Sequence, residues 1–159
     1  MNKRTTLNLI EQSERVSIYS ISFSIDNKTE FERFMDKFEK IASLNRDYQK
    51  ILYAIQLILD RGALERYFRS EGKMSDNLCA LPIDSGKIRL YCLRISDEIL
   101  ILGNGGIKNT AKYQEDKELL GYAVDLQKFD KLIKEEIKNG TVTIEEHELK
   151  NVNKRTFEI

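Results

Sequence analysis

The chain has little histidine, cysteine and proline, and its charges cancel. Its 159 residues include one histidine, two cysteines and one proline, and 26 basic residues balance 26 acidic ones. Two cysteines without a CxxC motif and one distant histidine, His147, exclude a four-ligand zinc site of the usual kind and a locally supported Cys/His catalytic pair. We expect Cys79 and Cys92 to be reduced, partly buried thiols that are not bonded to each other.

The balanced charge also lacks the excess of lysine and arginine that is typical of dedicated nucleic-acid binders, so such a surface would have to be a local patch. No segment approaches the roughly 18 consecutive apolar residues of a membrane span, and the basic N-terminus is not followed by the apolar segment of a signal peptide. We therefore expect a soluble, cytoplasmic protein with no membrane partner.

The length favours one domain with a single core. Residues 1–15 are polar and predict an N-terminal arm, residues 150–159 predict a C-terminal tail, and residues 16–149 remain as one folded domain. The sequence contains no internal repeat, linker or low-complexity segment.

The first half of the domain changes from period two to helical spacing. Alternating apolar residues predict a strand over 19–25, and apolar stripes then predict helices near 29–44 and 46–61. Asn27 and Glu30 have the spacing of a capping box at the first helix. The link between the helices is short, so we expect an antiparallel hairpin.

The second half returns to period two. Three short apolar runs joined by turn residues predict an antiparallel meander over 77–83, 87–95 and 98–104, and Pro82 places the first run at an edge or near a strand end. A third helix ends at Asn139-Gly140, and a last strand is predicted within 141–149. This order predicts an α+β fold in which the helices cover one face of an antiparallel sheet.

A glycine-rich corner follows the meander. Gly103-Asn104-Gly105 begins like GxGxxG, but Lys108 occupies the third glycine position, and no Walker motif is present, so a nucleotide-phosphate loop is not predicted. One interpretation is that the glycines permit positive φ where the strand leaves the sheet. The other is that they let a ligand approach the polar residues that follow them.

Arg89 lies on the central strand of the predicted meander, on the same face as Tyr91. An arginine at such a position either pairs with a carboxylate or binds an anion, and the sequence leaves both interpretations open.

These motifs resemble the RelE/HigB branch of the RelE/ParE superfamily of bacterial type II toxins. That branch has an R-[IL]-[LV]-Y-type strand, followed by an apolar strand that ends in an h-G-F-x-K-K-T corner. Residues 89–91 (Arg-Leu-Tyr) match the first motif, and residues 105–110 (Gly-Gly-Ile-Lys-Asn-Thr) match the second, with Asn109 in place of the second lysine. The resemblance spans about residues 16–133 and implies a RelE-like fold.

The resemblance implies a toxin that cuts messenger RNA, free or on the ribosome, and that a cognate antitoxin protein holds inactive. The 2′-hydroxyl attacks the adjacent phosphate, and arginine and lysine supply the stabilising charge, so no metal or other cofactor is implied. The matching residues would be Arg89, Lys108 and Tyr113 for catalysis, and Tyr91, Arg94 and Lys112 for RNA contacts.

The chain departs from the family pattern in two respects. It is neutral overall, and the first meander strand carries no lysine. A surface that engages the ribosome depends on contacts between cations and phosphates. A second interpretation therefore stays open: a catalytically silent protein of the same fold that binds a partner protein, with Arg89 in a structural ion pair.

Overall fold

The computed structural model describes residues 3–23, 28–72, 76–108 and 116–159. In these ranges a seven-stranded mixed sheet lies between two helical layers, and a small hairpin forms a second sheet. The helices are α1 (Glu30–Phe38), α2 (Asn45–Arg61) and α3 (Lys117–Lys138). The strands are β1 (Arg4–Gln12), β2 (Ser17–Phe23), β3 (Arg69–Ser70), β4 (Leu78–Leu81), β5 (Ile88–Ser96), β6 (Ile99–Ile107), β7 (Thr143–Glu145), β8 (Glu148–Lys150) and β9 (Thr156–Glu158).

The predicted meander is confirmed. Strands β4, β5 and β6 are neighbours in the sheet and pair antiparallel, and β4 ends at Leu81, directly before Pro82. The prediction of a wholly antiparallel sheet is wrong, because β2 pairs with β6 in parallel. Turn residues set the direction of consecutive strands only. The direction of β2 relative to β6 depends on the path through α1 and α2, and sequence periodicity does not reveal that path.

The predicted arm and tail both contribute strands. β1 pairs antiparallel with β2, and β9 pairs antiparallel with β1. Leu7 of β1 and Phe157 of β9 are buried in the core beneath α3. Polar side chains dominate both segments, so their composition predicts an arm and a tail and does not reveal these few inward-facing apolar residues.

The helices cover both faces of the sheet, not one face as predicted. Leu90 and Leu102 pack against α1 and α2 on one face, whereas Leu93 and Ile101 pack against α3 on the other. Strands β5 and β6 are apolar at nearly consecutive positions, which is typical of strands that are buried on both faces. None of the helices in the described ranges is long and apolar enough to cross a bilayer.

The helix ends follow local chemistry. Thr29 caps α1 through a capping box with Glu32, so the predicted pair of Asn27 and Glu30 is wrong as the cap, and Asn27 lies outside the described residues. The predicted stop of α2 is confirmed, with Gly62 at φ 100°.

The glycine corner is not where the strand leaves the sheet. β6 continues through it to Ile107, and Gly103, Gly105 and Gly106 all avoid positive φ. A Cβ on Gly103 would lie 2.7 Å from Leu126 Cδ1 of α3, and one on Gly105 would collide with the backbone carbonyl oxygen of Arg89. The glycines therefore allow α3 and β5 to approach β6 closely.

The close approach of β5 to β6 predicts that a side chain at Gly105 destabilises the fold. Gly105→Ala should lower the free energy of unfolding by about 3 kcal/mol, the upper end of the usual range for overpacking, because the obstacle is backbone and cannot rotate away. Gly121→Ala is the matched control, since a Cβ there meets nothing within 4 Å, and it should stabilise α3 by roughly 0.5–1 kcal/mol. Urea denaturation measures both values. Equal effects of the two substitutions would contradict the close approach of β5.

Candidate functional site

Arg89 and Lys108 lie together at the open end of the β5–β6 hairpin. Arg89 is the second residue of β5 and is opposite Gly106 of β6. Lys108 directly follows β6, and its backbone N–H donates to the carbonyl oxygen of Lys87 at 2.8 Å. Arg89 is only 2% exposed, whereas Lys108 is partly exposed.

The edge strand β3 adds a second arginine and a carboxylate. Arg69 pairs opposite Ala80, and Ala80 pairs opposite Tyr91. Residues that are opposite each other, or two apart on one strand, share a face. Arg69, Glu71 and Arg89 therefore belong to the same face of the sheet. With Lys108 they place three cations around Glu71, and the Asp84 carboxylate also acts on Arg89.

The four ionisable groups influence one another. Burial lowers the pKa of Arg89, and the nearby positive charge of Arg69 lowers it further. Burial likewise lowers the pKa of Lys108, with a further contribution from Arg89. Burial raises the pKa of the Glu71 carboxyl, although Lys108, Arg89 and Arg69 oppose that shift. Glu71, with a smaller contribution from Asp84 at Arg89, therefore faces three cations.

Both arginines have hydrogen-bond donors that the described residues leave unpaired. The Nε atoms of Arg69 and Arg89 are buried without a partner there. Their other contacts are long, 3.4 Å from Arg69 Nη2 to the Ile83 carbonyl oxygen and 3.4 Å from Arg89 Nη1 to the Ile88 carbonyl oxygen. Within the described ranges, no ion pair under 4 Å joins either arginine to a carboxylate. A buried, unpaired donor costs about 1–3 kcal/mol, so this arrangement suits an anion that completes the site.

The other predicted residues do not join this cluster. Tyr91 is 1% exposed in the core beneath α3, where a base cannot stack on its ring. Arg94 lies about 16 Å further along β5 at the usual rise per residue; its Nε donates to the Ala63 carbonyl oxygen at 2.7 Å, and it pairs with Asp97. Lys112 and Tyr113 lie outside the described residues.

Arg69 and Glu71 are site residues that were not predicted from the sequence. They flank Ser70, and such an alternation of charged residues is a period-two signal. β3 is only two residues long, however, so no apolar periodicity marks it as a strand. The only available signal was the short charged alternation before the meander.

A second polar cluster lies where the parallel strands β2 and β6 end. Lys37 Nζ donates to the Gly105 carbonyl oxygen at 2.6 Å and to the Tyr122 hydroxyl at 3.0 Å, and that hydroxyl donates to Glu118 at 2.9 Å. Burial lowers the pKa of Lys37, and burial together with Glu118 raises the pKa of Tyr122. Because these groups satisfy one another, the cluster joins α1 to α3 and fixes the backbone of the glycine corner.

Comparisons of the chain with protein-family models, curated proteins and solved structures found no match. In the part of the chain that the structure describes, no three histidine, cysteine, aspartate or glutamate side chains form a group able to hold a metal ion. The candidate functional site is the open end of the β5–β6 hairpin, where Arg69, Arg89 and Lys108 lie.

Proposed function

We propose that the chain is a metal-independent endoribonuclease of the RelE/HigB kind, the toxin of a type II toxin–antitoxin system. The observation that supports it is the pair of buried arginine Nε donors, on Arg69 and Arg89, that lack a partner among the described residues. They lie beside Lys108, another cation. Guanidinium groups bind phosphate oxygens through paired N–H donors, and an RNA phosphate supplies the missing acceptor.

The proposed reaction needs no cofactor. The RNA 2′-hydroxyl oxygen attacks the adjacent phosphorus, the bond from phosphorus to the 5′-oxygen breaks, and a 2′,3′-cyclic phosphate and a 5′-hydroxyl result. Arg69, Arg89 and Lys108 stabilise the negative charge that develops on the phosphate. Glu71 accepts the proton of the 2′-hydroxyl, and its raised pKa brings it closer to the working pH of a general base. Tyr113 is the proposed proton donor to the leaving oxygen.

The proposal includes two partners and a location. The substrate is messenger RNA in the cytoplasm, and a cognate antitoxin protein blocks the site until the toxin is released. On this proposal the phosphate lies on the side of Arg69, Glu71 and Lys108, which are all partly exposed, with the buried Arg89 behind them.

Inducible expression in a bacterial host tests the proposal. Wild-type protein should arrest growth and fragment messenger RNA, and purified protein should release 2′,3′-cyclic phosphate ends in the presence of a chelator. Lys108→Met should reduce cleavage on the order of a hundredfold, the usual cost of losing one charge-stabilising contact. Lys128→Met removes an exposed cation of α3 and should change nothing. A harmless wild type that leaves RNA intact would overturn the proposal.

The burial of Arg89 and Tyr91 favours a second candidate function, a catalytically silent RelE-fold protein that binds a partner protein. On this hypothesis the partner supplies the carboxylate that pairs with the arginines. It predicts that wild-type protein is harmless and that purified protein neither binds nor cleaves RNA at physiological salt.

A further inference from the structure

Two thiols face each other across the β4–β5 ladder. Cys79 of β4 is directly opposite Cys92 of β5, and their Sγ atoms are 3.5 Å apart. Both thiols are free and buried in the core beneath α1 and α2. They take no part in the proposed reaction.

The strand register suits a disulfide. The backbone N–H of Arg94 donates to the carbonyl oxygen of Asn77 at 3.0 Å, so these two residues form a hydrogen-bonded pair. Such pairs alternate along an antiparallel ladder, which makes Cys79 and Cys92 a hydrogen-bonded pair too, with Cα atoms about 5.5 Å apart. Disulfides usually join Cα atoms about 4.4–6.8 Å apart. Bond formation therefore needs the sulfur atoms to close by about 1.5 Å, without a change of register.

The two thiols differ in access. Cys79 is 6% exposed and lines a cleft of about 310 Å³ together with Ser70 and Asn77, whereas Cys92 is 0% exposed. Burial raises the pKa of the Cys92 thiol, and Cys79 raises it further, so Cys92 keeps its proton at neutral pH. A small oxidant from solvent therefore reaches Cys79 first.

We propose that Cys79 and Cys92 are a modification site, a dithiol that hydrogen peroxide converts into a reversible cross-strand disulfide. The Cys79 sulfur attacks one peroxide oxygen, the O–O bond breaks, and a sulfenic acid and one water form. The Cys92 sulfur then attacks the sulfenic sulfur. The S–S bond forms, and the departing hydroxide takes the thiol proton of Cys92 as a second water. The two cysteines lose two electrons and two protons, and the peroxide is reduced to two waters.

The disulfide would stiffen the meander beside the candidate site. Cys79 and Cys92 are 13 residues apart in sequence. A disulfide that closes a loop of this size lowers the conformational entropy of the unfolded chain and thereby stabilises the fold. For a chain of this length, we expect the Tm to rise on the order of 5–10 °C. The disulfide would lie next to the row of paired residues formed by Arg69, Ala80 and Tyr91 across β3, β4 and β5. The inference does not depend on the proposed function, because it concerns only the two thiols.

The experiment uses the full chain. Before oxidation, thiol titration of the denatured, unreduced protein should find two free thiols. After treatment with hydrogen peroxide and alkylation, mass spectrometry should find an intact, unalkylated chain that has lost two hydrogens and contains a Cys79–Cys92 linked peptide. Its Tm should rise on the order of 5–10 °C, and dithiothreitol should restore both thiols and the original Tm.

Single variants identify the order of attack. Cys92→Ala should leave Cys79 to accumulate sulfenic or sulfinic acid, whereas Cys79→Ala should leave Cys92 unmodified in the same time. The inference is overturned if peroxide leaves both wild-type thiols free, if it yields only intermolecular dimers, or if the bridge forms only after the protein has unfolded. All three outcomes are measured on wild-type protein. They therefore test the proposal even if a cysteine variant fails to fold.

Discussion

Replacing Arg89 with methionine is expected to abolish RNA cleavage and growth arrest while leaving the fold at least as stable as the wild type. Losing one contact that stabilises developing charge costs on the order of a hundredfold or more in rate. Arg89 is the most buried cation of the site, so water replaces it poorly. Cleavage by purified protein should fall at least that far, and expression of the variant should no longer arrest growth.

The expected stability follows from the surroundings of Arg89. Its Nε lacks a partner among the described residues, and burial and Arg69 both disfavour its charge. Replacing a whole buried ion pair or triad with apolar residues of similar volume is often neutral or stabilising by about 1–4 kcal/mol. In the described ranges Arg89 has no ion-pair partner within 4 Å whose charge its removal would leave uncompensated. We therefore expect a gain of about 1 kcal/mol, measured by urea denaturation. Methionine preserves most of the side-chain volume, whereas Arg89→Ala would add the cost of a cavity.

The structural interpretation of Arg89 predicts the opposite result. If Arg89 formed a buried ion pair, removing it would leave an uncompensated carboxylate and cost about 3–5 kcal/mol. Lys128→Met is the control for the loss of one positive charge, because Lys128 is exposed on α3. A clearly destabilised Arg89→Met, or a stable variant that still cleaves RNA, would refute the catalytic assignment.

The elements that could be predicted from the sequence are those with a local signal. Turn residues after Leu81 and Ile95 define the meander, and Gly62 marks the end of α2. The proximity of Arg89 and Lys108 also follows from the hairpin, because the two register irregularities along β5 leave Arg89 opposite Gly106.

The rest depended on contacts that are distant in sequence. Gly103 and Gly105 lack side chains because Leu126 and the carbonyl oxygen of Arg89 occupy the space that a Cβ would need. No local sequence pattern identifies those contacts. Arg69 joins the site because a two-residue strand pairs with β4. The position of α3 on the second face of the sheet depends on a crossover, which periodicity does not determine.

The candidate site also departs from what stability alone would select. Two arginines with unpaired donors lie next to each other, and burial works against the charged form of Glu71 as well. Conflicts of this kind are expected where function and not folding determines the residues. Removing one charge from the site should therefore stabilise the fold and impair the chemistry, and Glu71 provides an independent test.

Glu71→Gln is expected to lower the rate of the chemical step on the order of a hundred- to ten-thousandfold, because a neutral amide cannot accept the 2′-hydroxyl proton. RNA binding should be unchanged or tighter, since the substitution removes a negative charge beside the phosphate. The loss should therefore appear in kcat with no increase in KM. Glu135→Gln, on the exposed side of α3, is the matched control and should leave both parameters unchanged.

The pH dependence separates a catalytic Glu71 from a merely nearby one. Burial raises the folded pKa of Glu71 above the usual value of a glutamate carboxyl, so folding favours the protonated form. The stability that this proton contributes is present below the unfolded pKa and is lost as the pH rises through the folded pKa. Wild-type protein should thus lose stability relative to Glu71→Gln over this pH window, while wild-type cleavage rises with pH as the carboxylate forms. A variant that retains the rising limb of the pH–rate profile, or that loses RNA binding along with activity, would exclude Glu71 as the general base.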